Sequence, residues 1–181
     1  MRRTVILVAV VAATLVVASG VAVAVATKLS GGAINQVKVA QETTATTTTS
    51  VSFVDLPGAS VRVSVPSGEK GLLLARFSAE SACYNTTPGS NTNDLWCGVR
   101  ILAVKDGTTT ERPLQPDEDF AFDSTDKGTE SSASWEGHAT DRSLLVGPGI
   151  YTVKVQYMTN SSSATFRLDD WHLTVEKARA S

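Results

Sequence analysis

The fifteen residues PDEDFAFDSTDKGTE, Pro116 to Glu130, carry six carboxylates. That density suits a hard cation or acid–base chemistry. Calcium takes about six to eight oxygen ligands, and Asp123, Asp126 and Glu130, with Asp117, Glu118, Asp119 and main-chain carbonyls nearby, are the groups that could supply them. The spacing matches no EF-hand loop, because acids do not alternate ahead of Gly128. A glycosidase pair of carboxylates needs a defined separation in space, which sequence spacing does not set. The plainer reading puts Phe120 and Phe122 on the core face of a short strand and leaves the acids as its solvated, turn-forming ends. No cofactor is expected on that reading; calcium at Asp123, Asp126 and Glu130 is the alternative.

A second stretch, CYNTTPGSNTNDLWC, begins and ends on the two cysteines of the chain, Cys83 and Cys97. In an exported chain an even pair reads first as a disulfide. Closing a loop of about 15 residues contributes about 3 kcal/mol in the chain-entropy model. Zinc fits less well, since only His138 and His172 could complete such a site and neither lies at finger-like spacing. Tyr84, Asn85, Asn93, Asp94 and Trp96 combine flat apolar faces with directional polar groups, the mixture used to recognise sugars or peptides. These five are the candidate binding residues. The competing reading packs Tyr84 and Trp96 inward beside the disulfide.

His138 follows Trp135 by three positions, so on a strand the two face opposite ways; His172 follows Trp171. Both read as surface or hydrogen-bonded histidines. A metal site joining the two histidines to Asp170 is the sharper alternative. Ser-His-Asp sets can be written with many of the serines, and without a Gly-x-Ser-x-Gly elbow none is singled out. No phosphate-binding glycine loop, dinucleotide fingerprint or metalloprotease motif occurs.

The elements that must hold these residues are short and alternating. VRVSV points Val61, Val63 and Val65 one way and ends in the turn Pro66-Ser67-Gly68. GLLLARFSA and CGVRILAV are apolar on both faces in part and suit central strands, the second closed by the hairpin signal Asp106-Gly107. IYTVKVQYM buries Tyr151, Val153, Val155 and Tyr157. In TFRLDDWHLTVEK, Phe166 and Leu168 are apolar at even positions and Trp171, Leu173 and Val175 at odd ones, which requires a bulge at Asp169-Asp170. Eight to ten strands without helical periodicity predict an all-β, antiparallel two-sheet sandwich of jelly-roll type. An immunoglobulin-like sandwich is the runner-up, although its two cysteines normally bridge the sheets from distant positions.

Ahead of the strands, Arg2 and Arg3 precede 23 uncharged residues, Thr4 to Ala26, so residues 1–26 predict a hydrophobic helix acting as signal peptide or membrane anchor. Small-residue patterns around Ala22 to Ala26 favour cleavage. Residues 27–47 suit a threonine-rich flexible linker, with a short pairing strand over 36–40, and 48–181 form the sandwich. Of 16 Lys and Arg, removing Arg2 and Arg3 leaves 14 against 18 acids, a net charge of −4. That argues against nucleic acid and anionic membrane surfaces as partners. Membrane contact is expected only through the N-terminal segment.

LLLARFSAESACY, FAFDSTDKGTESSASWEGHATDRSLLVGPG and TFRLDDWHLTVEK together resemble a group of uncharacterised exported bacterial β-sandwich proteins. More loosely, the strand count and closing core strand are similar to the jelly-roll heads of the tumour necrosis factor and C1q type, which implies the fold and homo-oligomerisation. The expected function is a non-catalytic extracellular binding module for a glycan or protein, secreted or tethered to the outer face of the cytoplasmic membrane. The alternatives are a structural oligomerising head, and a calcium-dependent or hydrolytic enzyme using Asp123, Asp126 or His138.

Overall fold

The computed structural model describes residues 27–85, 95–116, 120–125 and 131–180. The hydrophobic helix expected over 1–26 lies outside them. Among the described residues no helix is long and apolar enough to cross a membrane. Ten strands form among these residues: β1 Gly31–Glu42, β2 Thr46–Thr48, β3 Val54–Val65, β4 Lys70–Asn85, β5 Trp96–Lys105, β6 Glu111–Pro113, β7 Ala121–Ser124, β8 Glu136–Val146, β9 Gly149–Thr159 and β10 Ala164–Ala180.

They make two antiparallel sheets. The first runs β1-β10-β4-β8, with β2 also on β10; the second runs β3-β9-β5-β6, with β7 also on β5. Steps from β2 to β3, β3 to β4, β4 to β5, β7 to β8, β8 to β9 and β9 to β10 each change sheet. Sequence neighbours therefore face one another across the core. Its centre is the inward set of the long strands, including Phe77, Val99, Ile101, Val153, Val155, Phe166, Leu173 and Val175. Phe77 links Phe122 and Trp171 at ring separations of 5.7 and 6.4 Å.

The expected turns form where the sequence allows left-handed backbone: Gly68 and Gly107 both take φ +79°. Between Asp169 and His172 the pairing of β10 with β4 shifts register, and Asp170 takes φ +43°. The bulge lets Phe166, Leu168, Trp171, Leu173 and Val175 all face inward.

Two expectations change. Most of the segment read as a linker is β1, which pairs with β10 from Gly31↔Ala180 to Glu42↔Trp171 and extends the strand expected over 36–40 in both directions. Its side chains stay largely in solvent, so apolar periodicity could not reveal it; main-chain pairing to β10 forms it. Phe120 and Phe122 do not share the core face. Phe122 is 3% exposed, whereas Phe120 is 36% exposed and lies under the Arg142 guanidinium, 4.3 Å from its ring centroid.

Candidate functional site

The reason for that difference also builds the site. On β5, Cys97 pairs with Asp123 and the next residue, Gly98, pairs with Ala121. Phe122 is thus the extra residue of a bulge, and both Phe122 and Asp123 are turned inward. Asp123, expected as a solvated strand end, is 5% exposed.

Asp123 meets residues of the opposite sheet. Ser81 occupies an inward position of β4 and is fully buried. Glu136 and His138, two apart on β8, project to one side, with Glu136 opposite Ser81 and His138 opposite Ala79. Ser81 Oγ lies 2.6 Å from Asp123 Oδ2 and 2.9 Å from His138 Nδ1. His138 Nε2 lies 3.5 Å from Glu136 Oε2. Ligand atoms of Asp123, Glu136 and His138 all fall within 4.8 Å of one another. The Asp123 Oδ1 atom accepts the Ser124 backbone N–H at 2.7 Å, and the His138 ring packs against Phe122 with centroids 5.7 Å apart.

One proton count fixes the wiring. Ser81 has a single hydroxyl hydrogen, and donating it to the Asp123 carboxylate leaves the oxygen as an acceptor toward Nδ1–H of His138. A hydrolytic serine needs the reverse, with a histidine nitrogen accepting its proton and an open path for substrate. Ser81 has neither. Nε2 of His138 is directed toward Glu136, in a cleft lined by Phe120, Asp123, Ser124, Thr125, Glu136 and His138. The Thr125 hydroxyl, in a residue lining that cleft, is buried without a hydrogen-bond partner among the described residues. The hydroxyl of Thr140, on β8, is likewise unpartnered among these residues.

Ser81 and Glu136 escaped the sequence reading. The available signals were the Glu136-x-His138 spacing, which places both side chains on one side of a strand, and the position of Ser81 two residues before Cys83.

The expected disulfide forms: Cys83 and Cys97 are bonded, with Cα atoms 5.9 Å apart. It joins inward positions of β4 and β5, and so bridges the two sheets at one end. Alternation sends the neighbours Tyr84 and Trp96 to opposite outer faces of the sandwich. Trp96 rests on Gly98, where an added Cβ would lie 3.0 Å from its ring. Tyr84, half-buried, pairs with Thr165 on the outside of the first sheet. Two positions along β10, Arg167 lies over the Trp135 ring, 4.4 Å from its centroid. Asn85 closes β4 opposite Ala164. Asn93, Asp94, Asp126 and Glu130 lie outside the described residues. His138 faces inward on β8 and His172 outward on β10, where its Nδ1 lies 3.2 Å from Thr174 Oγ1, so the two histidines do not converge.

The outer face of the second sheet carries a charge-balanced network. Lys154 Nζ lies 2.8 Å from Asp55 and 2.9 Å from Glu111. Arg100 donates to Gln156 Oε1, and Gln156 donates to Asp55 at 2.6 Å. Burial would raise the Asp55 pKa, but the bonds from Lys154 and Gln156 outweigh it and hold the carboxyl below its ordinary value. Lys154 moves up because Asp55 and Glu111 outweigh its own burial.

No family model and no curated protein matches the chain. Among solved structures it is similar to an Eiger TNF from S. frugiperda, at 9% identity and TM-score 0.38 over 81% of this chain and 96% of that one. It is also similar to chains of infectious bursal disease virus. The Gt strain gives 10% identity and TM-score 0.36 over 87% of this chain, and the Gx strain 11% and 0.31 over 82%; the chain covers 39% of each viral chain. Likenesses this distant carry nothing about activity or partners.

Proposed function

We propose that the chain is a non-catalytic binding module: a sandwich of jelly-roll type, carried outside the cytoplasmic membrane by its N-terminal segment, that engages an extracellular glycan. The carrying observation is the outer face of the first sheet at its disulfide-stapled end. There the half-buried rings of Tyr84 and Trp135 accompany Thr165 and the Arg167 guanidinium, flat apolar surfaces beside directional donors. Support for the non-catalytic part comes from Ser81, whose buried hydroxyl is committed to Asp123. A glycan array and a cell-wall pull-down with the purified chain are expected to return a retained saccharide, with no hydrolysis of glycosides or esters. Absence of saccharide binding, or turnover of such a substrate, would overturn the reading.

A second reading is favoured by β1, where Ile34, Val37 and Val39 are each about half exposed on the outside of the same sheet. Apolar side chains presented on a sheet face suit assembly of copies of the chain. Light scattering at micromolar concentration separates the two: an oligomer that dissociates in Val37→Asp supports assembly, and a monomer rules it out.

A further inference from the structure

We propose that Asp123, Glu136 and His138 bind one divalent transition-metal ion of the zinc class, tying the edge of one sheet to the edge of the other. Three independent features converge on a cation there. First, two carboxylates and an imidazole bring their ligand atoms within 4.8 Å of one another, the reach of a single ion.

Second, Ser81 presets the histidine. By accepting the Nδ1–H hydrogen bond it holds the ring with Nε2 toward the Glu136 carboxylate 3.5 Å away. A ring nitrogen this close to a carboxylate oxygen needs a positive charge between them, which a proton on Nε2 or a metal ion supplies. Holding a ligating histidine through its other ring nitrogen is the usual outer-shell device of metal sites. Asp123 is held in the same way, by Ser81 on Oδ2 and the Ser124 N–H on Oδ1, and each oxygen retains a lone pair.

Third, Thr125 lines the same cleft, is 4% exposed, and keeps its hydroxyl buried without a partner among the described residues. A buried unpartnered hydroxyl is costly in a folded protein. A water completing the coordination of the ion would satisfy it.

The donor set selects the class of ion. Calcium wants about six to eight oxygens, whereas one imidazole and two carboxylates suit zinc or its first-row neighbours, with a position left for water. Because the ligands come from β7 and β8, on different sheets, the ion would act as a clasp across the open side of the sandwich beside the disulfide.

The test uses the tag-free full chain, stripped with EDTA and titrated calorimetrically with zinc chloride and, separately, calcium chloride. One zinc per chain is expected, with little response to calcium and a rise in melting temperature on loading. Glu136→Gln changes a side chain that is 58% exposed and is expected to weaken zinc at least about tenfold. His138→Gln is expected to abolish stoichiometric binding. Absence of zinc binding, affinity unchanged in Glu136→Gln, or preference for calcium would each overturn the proposal.

Discussion

The hydroxyl of Ser81, on β4 of one sheet, lies 2.6 Å from the carboxylate of Asp123, on β7 of the other. This contact spans the sandwich at the point where the β7 bulge turns an acid inward. Removing it leaves a buried carboxylate short of a donor and His138 Nδ1 short of an acceptor. Ser81→Ala is therefore expected to destabilise the fold by about 1–3 kcal/mol, read from urea unfolding at neutral pH. Unchanged stability would mean that the hydrogen bond contributes nothing.

The bulge makes a paired prediction about the two phenylalanines. Phe122 fills the core between Phe77 and Phe166, at ring separations of 5.7 and 6.3 Å, and Phe122→Ala is expected to cost about 3–5 kcal/mol. Phe120 sits at the surface beneath Arg142, and Phe120→Ala should cost below about 1 kcal/mol. Equal losses from the two variants would contradict the register of β7.

Opening the Cys83–Cys97 bridge frees a loop with a sequence separation of 14. The double Cys→Ser variant is expected to lose about 3 kcal/mol, read as a lower urea midpoint than that of the oxidised protein. The intact protein in reductant should show the same loss.

The Asp55–Lys154 pair sets a direction with pH. A carboxyl whose folded pKa is depressed stabilises the fold above its unfolded value, about 3.9, and loses that contribution as pH falls through the folded value. A lysine whose folded pKa is raised stabilises the fold below its unfolded value, about 10.4, and loses that contribution as pH rises through the folded value. Asp55→Asn should be slightly less stable near neutrality, and the difference from the parent should vanish in strong acid. With 57% of the Asp55 side chain in water, added salt should shrink the effect. A difference that persists below about pH 2 would contradict it.

Much of this fold can be read from period-two alternation. Val153, Val155, Leu173 and Val175 declare their strands, and the phase break before Trp171 declares the bulge at Asp169-Asp170. The β7 bulge could not be read in the same way. A four-residue strand is too short to show a phase change, so Asp123 looked like a solvated end. The convergence on Asp123 was hidden for a further reason: Ser81 and Glu136 are distant from it in sequence and meet it only because β7 and β8 lie at facing edges of different sheets. β1 was obscured because an edge strand exposed on both faces has no apolar period to display.

The proposed glycan surface lies at the disulfide end. Cys83 and Cys97 both point inward, so Tyr84 and Trp96 flank one bridge yet stand on opposite faces, and only Tyr84 shares a face with Trp135. The direct measurement is the calorimetric affinity of Tyr84→Ala, Trp135→Ala and Trp96→Ala, side by side, for the saccharide that the intact chain retains. The first two should each bind about tenfold more weakly, with Trp96→Ala matching the parent. Loss of binding in Trp96→Ala alone, or parental affinity in all three, would contradict it.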